Sequence, residues 1–109
     1  MNEQIQIHRD EYGIPHIEAA SESDAWFAMG YASATDRLWQ MEWYRRRGTG
    51  RWSEVVGPDG LEADKLFRRF RLDYASRVDA EELSSLTELM FQSYADGVNT
   101  YVEQNQLPL

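Results

Sequence analysis

The chain has 109 residues, a length that corresponds to one domain. Its hydrophobic content of 42% and aromatic content of 13% exclude a disordered segment, and the lack of cysteine excludes a disulfide framework, a thiol nucleophile and a thiolate metal site. No apolar run reaches the ~18–20 residues of a membrane span, and residues 1–7 are not expected to be a signal peptide because they lack its basic and apolar regions.

Charge is unevenly distributed along the chain, whose formal net charge is −8. Residues 45–77 carry nine basic and five acidic side chains, whereas residues 78–109 carry six acidic and no basic ones. We therefore expect the acidic C-terminal third to pair with the basic middle, where arginine suits bidentate contacts with carboxylates. Two arginine clusters raise nucleic acid as another partner: Arg45, Arg46 and Arg47 with Arg51, and Arg68 and Arg69 with Arg71. The acidity of the whole chain argues against it, and no nucleic-acid binding is expected.

The first predicted element is a β-hairpin. Isoleucines alternate with polar residues on both sides of a turn at Gly13, which predicts strands over about 4–9 and 14–18. Pro15 has no N–H to donate, so it must occupy an unpaired or edge position. Because a two-stranded hairpin is barely stable alone, we expect helices to cover it or a larger sheet, not contained in this chain, to include it.

A long helix over about 22–47 is predicted next. A capping serine and acidic residues open it, three arginines occupy its last turn, and Gly48 ends it. Its middle is apolar on all sides, which is typical of a central helix surrounded by other elements. Gly30, Ser33 and Ala34 form a stripe of small residues, so we expect the backbone of another element to come close there.

Three further helices are predicted, with approximate bounds of 51–56, 62–82 and 85–105. The second has a candidate break near Leu72-Asp73, and Ser84 caps the third. The apolar stripe of the third consists of Leu86, Met90, Tyr94, Gly97 and Tyr101. The expected fold is mainly α with an N-terminal β-hairpin, an α+β arrangement in a single segment over residues 1–109.

Asp36 and Arg37 are charged residues inside the most apolar helix, with Gln40 one turn further on. Buried charges in a core can mark a catalytic site. No nucleophile lies beside them, so a structural ion-pair network is the favoured interpretation, and both groups should have partners. On that interpretation Arg37→Ala should cost ~3–5 kcal/mol and largely unfold the chain.

The other candidate functional residues are interpreted as structural. His8 and His16 are not expected to bind a metal with Asp10 or Glu18, because residue 7 should face residue 16 in the predicted hairpin. The aromatic residues of the segment 26–44 are interpreted as core rather than as a ligand pocket. Cleavage at Gly48-Thr49 would expose an N-terminal threonine nucleophile, but no strand-rich scaffold follows it. No catalytic, cofactor-binding or metal-binding residue is therefore predicted.

Several sequence blocks resemble a known family. They are Arg-Asp-Glu-Tyr-Gly-Ile-Pro-His-Ile at 9–17, Gly30-Tyr31, Ala-Thr-Asp-Arg-Leu-Trp-Gln-Met-Glu at 34–42, Arg45-Arg46, then Gly50, Glu54, Gly57, Asp64 with Arg68-Arg69, and Tyr-Ala-Asp-Gly-Val-Asn at 94–99. In order and spacing these blocks are similar to the penicillin acylase (penicillin amidase) family of N-terminal-nucleophile hydrolases. The resemblance covers roughly residues 7–105.

The resemblance implies one precursor that cuts itself into an α and a β chain. Such enzymes hydrolyse amides of β-lactam antibiotics, acyl-homoserine lactones or related compounds. Their nucleophile is the N-terminal serine of the β chain, whose own α-amine is the base, and the oxyanion donors also belong to that chain. The residues that match correspond to the first part of the α chain, so the resemblance places no catalytic residue in these 109 positions. Asp36 and Arg37 match a motif of the family that looks architectural.

The resemblance also implies the surroundings of this segment. The hairpin would join a larger sheet in an αββα fold, and the partners would be the remainder of the α chain and the β chain of the same precursor. Apolar surface would be exposed on the segment alone. Calcium is an expected cofactor of the intact enzyme, with its ligands outside this segment, and the family suggests a periplasmic or secreted location. The rival interpretation is a stand-alone helical module that binds a ligand or a protein.

Overall fold

The computed structural model describes residues 5–108 of the chain. Its elements are β1 (Ile5–Arg9), β2 (Pro15–Ala19), α1 (Glu22–Gly48), α2 (Ser53–Val56), a 3-10 turn (Gly57–Gly60), α3 (Leu61–Phe70), α4 (Leu72–Glu81) and α5 (Ser85–Gln104). The fold is mainly helical with an N-terminal hairpin, which confirms the predicted class. The predicted strand start at residue 4 lies outside the described residues.

The hairpin has a different register from the predicted one. β1 and β2 are antiparallel, and His8 lies opposite His16, so the prediction that residue 7 faces residue 16 is wrong. The cause is the Asp10 carboxylate, which accepts the backbone N–H groups of Tyr12 and Ile14 at 2.9 and 3.0 Å. These hydrogen bonds hold Ile14 in the loop rather than in the strand, while Gly13 turns the chain at a φ of 78°.

The described chain forms two compact units. One contains the residues up to Arg37 together with those from Ser84 onwards, and the other is Leu38–Leu83. Helix α1 belongs to both, and its backbone is non-helical at Arg37, where φ is −140° and ψ is 25°. The prediction of an unbroken helix is therefore wrong at this residue. The hydroxyl of Thr35 donates to the carbonyl of Tyr31 at 2.9 Å just before the kink, a contact that often bends helices.

In the first unit, α1 and α5 touch through their backbones. A Cβ atom added to Gly30 would lie 2.0 Å from the carbonyl oxygen of Tyr94, and one added to Gly97 would lie 1.9 Å from the carbonyl oxygen of Phe27. The predicted close approach at Gly30 is thus confirmed. Such spacing leaves no room for a side chain at either glycine.

Few apolar side chains are fully buried in the described residues. They are Ile5, Ala28, Ala32 and Ala34, all in the first unit. The predicted apolar stripe of α5 is wrong at Leu86, which is 62% exposed, whereas Ser93 and Gly97 are buried. Small residues line the contact because the two helix backbones are too close for large ones.

The second unit contains the end of α1. The N–H of Gly50 donates to the carbonyl of Arg47, and the N–H of Arg51 donates to the carbonyl of Arg46, the pattern of a Schellman motif. Helix α1 ends at Gly48, as predicted, and Gly50 supplies the left-handed residue with a φ of 68°. Arg71, also left-handed with a φ of 54°, separates α3 from α4 next to the predicted break at Leu72-Asp73.

Many large apolar side chains are exposed. Helix α1 alone exposes Met29, Trp39 and Tyr44 by 43%, 64% and 60%. The expectation that α1 is a central helix surrounded by other elements is therefore wrong within this chain, while the expectation of exposed apolar surface is met. No helix in the part of the chain that the structure describes is long and apolar enough to cross a membrane.

The contact between α1 and α5 generates a stability prediction. Gly30→Ala places a methyl group against the backbone of α5, so we expect a loss of about 1–3 kcal/mol in the free energy of unfolding. The measurement is urea denaturation followed by circular dichroism.

Gly48→Ala is the matched control, because Gly48 lies in the same helix and a Cβ atom there would meet no atom within 4 Å. It should stabilise the chain by up to about 1 kcal/mol, the helix preference of alanine over glycine. Equal unfolding midpoints for the two variants would contradict the close contact.

Candidate functional site

Asp36 and Arg37 are exposed rather than buried. The Asp36 carboxylate pairs with Arg9 of the hairpin through two contacts of 2.9 and 3.0 Å, and Arg9 also donates to the carbonyl of Gly13 at 2.9 Å. Arg37 donates to the backbone carbonyl of Asp36 at 3.2 Å and makes no ion pair among the described residues. The prediction that both are buried in a helix core is wrong, because α1 is kinked and uncovered at this point.

A carboxylate–guanidinium cluster lies at the end of α1. The buried Glu42 accepts hydrogen bonds from the Nε atoms of Arg45 and Arg46 at 2.8 and 2.7 Å. Arg46 continues to Glu54 at 3.1 Å, and Arg51 holds Glu54 with two contacts of 3.0 Å. Arg45, Arg46 and Arg51 are thus paired with carboxylates of their own unit, so for these three the prediction of pairing with the acidic C-terminal third is wrong.

The cluster shifts the titration of its carboxylates. Hydrogen bonds from Arg45 lower the pKa of Glu42, burial raises it, and Arg46 lowers it again, with the result that the pKa of Glu42 lies below its usual range. Arg51 likewise lowers the pKa of Glu54. Both carboxylates are therefore ionised near neutral pH and act as acceptors, a state that suits holding the chain rather than donating a proton.

Asp64 ties the start of α2 to α3. Its carboxylate accepts the backbone N–H groups of Trp52 and Ser53 at 2.8 Å each, and it also accepts the hydroxyl of Ser53. Burial raises the pKa of Asp64, but these hydrogen bonds outweigh burial and leave the pKa below its usual range. An ionised carboxylate at this place satisfies two N–H groups that begin a helix, which is a structural role.

The two histidines lie side by side on one face of the hairpin. Their ring centroids are 5.3 Å apart and their ring planes are nearly parallel. Nε2 of His16 lies 3.0 Å from a carboxylate oxygen of Asp10. The structure thus places His8 against His16, a pair that the predicted register had kept apart, and His16 against Asp10. No group of three or more possible metal-binding side chains occurs among residues 5–108. The expectation of calcium in an intact enzyme stays a prediction.

The serine and threonine hydroxyls that form hydrogen bonds in the described chain serve helix starts and backbone carbonyls. Thr49 donates to the carbonyl of Arg45 at 2.9 Å, and Ser84 accepts the N–H of Thr87 at 3.2 Å as the predicted cap of α5. None of these hydroxyls bonds to a histidine or lysine among the described residues. These contacts organise helices.

The aromatic residues of α1 form ring contacts rather than a core. Trp52 lies against Trp39 and Trp43 with centroid distances of 6.0 and 6.3 Å, and Tyr31 meets Tyr101 edge-on at 5.6 Å. The interpretation of the segment 26–44 as core is wrong for Trp39 and Tyr44, which are mostly exposed.

Sequence reasoning missed Glu42 and Asp64 as organising residues. The signal for Glu42 was present, because arginines three and four positions later lie on the same helix face. No comparable signal marked Asp64, whose partners are 11 and 12 residues away in the chain.

Comparison with known proteins identifies relatives along nearly the whole chain. The family model described as penicillin amidase matches residues 4–109. A penicillin acylase 2 proenzyme from Pseudomonas sp. strain SE83 is 42% identical over 98 residues, which are 90% of this chain and 13% of that protein. The acyl-homoserine lactone acylase QuiP of Pseudomonas aeruginosa is 38% identical over 107 residues, or 96% of this chain and 13% of that protein.

A solved structure agrees with these relatives. The thermostable penicillin G acylase from Alcaligenes faecalis superposes with a TM-score of 0.84 at 34% identity, over 94% of this chain and 54% of that chain. The chain thus spans about 13% of the length of the proteins it matches in sequence.

The buried Glu42 generates a pH prediction. The folded pKa of Glu42 is lower than its unfolded pKa, so its contribution to stability is complete above the unfolded value of about 4.3 and is lost as the pH falls through the folded value. We expect Glu42→Gln to lower the free energy of unfolding by about 1–3 kcal/mol at pH 7, the usual cost of weakening hydrogen bonds to a charged group. The loss should shrink as the pH falls below about 4.3.

Urea unfolding between pH 3 and pH 7 measures this difference. Glu62→Gln is the control, since the side chain of Glu62 is 88% exposed and contacts Lys65 at 3.4 Å. A difference between wild type and Glu42→Gln that does not change with pH would contradict the buried ion pair.

Because Arg37 is exposed, we expect its removal to cost little stability, in contrast to the severe loss expected from the sequence. Arg37→Ala should change the melting temperature no more than the exposed control Arg69→Ala does. Arg9→Ala should cost more, up to about 1 kcal/mol for a half-exposed ion pair, because it leaves Asp36 without its partner. Thermal melts of the three variants test this order, and a cooperative loss of structure in Arg37→Ala alone would refute it.

Proposed function

The chain belongs to the penicillin amidase family, and on that premise we propose that it is the N-terminal part of the α chain of an acylase that hydrolyses linear amides. The observation that carries the proposal is the alignment itself: it covers 90% of this chain but only 13% of a proenzyme. The substrate class proposed for the intact enzyme is the one its relatives' names give, a penicillin-type β-lactam or an acyl-homoserine lactone.

The proposed contribution of this segment is architectural. Its ionised carboxylates accept backbone and guanidinium hydrogen bonds, and its hydrogen-bonded hydroxyls cap helices, so neither set supports nucleophilic attack on an amide. In the proposed enzyme the nucleophile, its base and the oxyanion donors come from the β chain. We accordingly expect the isolated 109-residue chain to be inactive.

The proposed partners are the remainder of the α chain and the β chain of the same precursor. Two features support them. The hairpin contains two strands with an open outer edge on each side, which a larger sheet would pair. Helix α1 exposes Trp39 and Tyr44, large aromatic side chains that are usually covered when a partner is present.

A chimera tests the proposed function. The 98 aligned residues of the Pseudomonas penicillin acylase 2 proenzyme are replaced by the corresponding residues of this chain. We expect the chimera to be cut into two chains and to hydrolyse the amide bond of a penicillin side chain. Gel electrophoresis follows the cut, and release of the carboxylic acid follows the hydrolysis.

The same chimera carrying Gly97→Leu is the matched control, because a leucine there would displace the backbone of α1 at Phe27 and block maturation. A soluble chimera that is neither cut nor active would contradict the proposal. So would hydrolysis by the isolated chain that survives replacement of every serine by alanine.

A further inference from the structure

A cleft of about 370 Å³ lies within the unit Leu38–Leu83. The end of α1, the chain after it, α3 and the start of α4 contribute its lining, which includes Thr49, Arg51, Phe67, Arg68, Arg71 and Tyr74. Its volume falls in the range of small-molecule sites. Most of these side chains are exposed, so the cleft is accessible from solvent.

The guanidinium groups of the cleft differ in how far they are already paired. Arg51 makes two contacts with Glu54, a carboxylate that it shares with Arg46. Arg68 donates from Nε to the carbonyl of Gly50 at 2.9 Å, and the guanidinium of Arg71 has no hydrogen bond or ion pair to any residue between 5 and 108. The terminal nitrogens of Arg68 and the whole guanidinium of Arg71 therefore remain available as donors.

The carboxylates near the cleft do not balance these two arginines. Asp73 is paired with Arg77 at 3.3 Å, so it adds no net negative charge. The positive charge of Arg68 helps to lower the pKa of Asp64. The oxygens of Asp64 accept hydrogen bonds from Trp52 and Ser53. If the charge of Asp64 is counted as balancing that of Arg68, the positive charge of Arg71 has no negative counterpart near the cleft.

The backbone of Arg71 is unusual in a way that supports a role for its side chain. Its φ of 54° and ψ of 41° lie in the left-handed region, where glycine is favoured at the end of a helix. An arginine there costs conformational free energy, and such residues cluster at functional sites. Its guanidinium stacks on the ring of Tyr74 at 4.3 Å, which fixes it at the cleft with its N–H edges unused.

We propose that this cleft is a binding site for a small organic monocarboxylate with an aromatic body. The N–H edges of Arg71 and Arg68 would receive the carboxylate, because a guanidinium matches a carboxylate in a planar, two-contact geometry. The rings of Phe67 and Tyr74 would pack against the aromatic body. The site does not rest on the proposed amidase function, since it would bind the anion whether or not a parent protein hydrolyses amides.

Benzoate is the probe, titrated into the ¹⁵N-labelled 109-residue chain while the Nε–Hε signals of arginine are recorded. We expect saturable shifts of the Arg68 and Arg71 signals. Arg71→Gly and Arg71→Asn both suit the left-handed backbone and remove the charge, so they should fold as well as wild type and bind benzoate at least tenfold more weakly. Arg69→Gln removes the same charge from a residue outside the cleft, and its affinity should match that of wild type.

Two further ligands separate the contribution of the aromatic ring from that of the negative charge. Benzamide has the ring without the charge, and inorganic phosphate has charge without the ring, so both should bind at least tenfold more weakly than benzoate. Equal binding of benzamide, equal binding of phosphate, or unchanged benzoate binding in both Arg71 variants would each overturn the proposal.

Discussion

The contact between the backbones of α1 and α5 is the constraint on which the first unit depends. Gly30 and Gly97 are 67 positions apart in the chain, yet each lies where a single additional carbon would collide with the other helix. At this spacing dispersion contacts between main-chain atoms replace the interdigitating side chains of an ordinary helix pair. The few buried apolar residues around them are mostly alanines, because nothing larger fits.

The second unit is organised by polar groups instead. No apolar side chain in it is buried, whereas those of Glu42 and Asp64 are, and each carboxylate accepts several hydrogen bonds. Since a buried charge is tolerated only when it is well paired, these contacts specify one geometry at the cost of stability. Directional hydrogen bonds can therefore hold short helices in place while their apolar faces stay free for other parts of a larger protein.

Sequence periodicity and capping signals were enough to predict the elements, because these depend on neighbours in the chain. The hairpin, the cap at Ser84 and the break beside Leu72 were all found that way. Burial was poorly predicted, since an apolar helix such as α1 looks the same whether its partner lies within the chain or outside it. The register of the hairpin was missed because the side chain of Asp10 decides it.

The same limit applied to the site. Asp36 and Arg37 were expected to be buried because apolar residues surround them in the sequence. They lie at the surface, where the helix is kinked at Arg37 and Asp36 forms an ion pair with Arg9. The cleft beside Arg71 could not be predicted, because it depends on the left-handed backbone conformation of Arg71, which no sequence pattern indicates. Resemblance of the sequence to a family was more informative about function than any single residue.

The division of the chain also has a consequence for the order of folding during synthesis. The second unit is one continuous stretch, Leu38–Leu83, whereas the first is assembled from two pieces that this stretch separates. The whole second unit emerges from the ribosome before α5 does, so this unit can form while the N-terminal piece still lacks its other half. The hairpin and the start of α1 thus remain without their partner helix longer than the residues that follow them, and the first unit can close only after α5 has emerged.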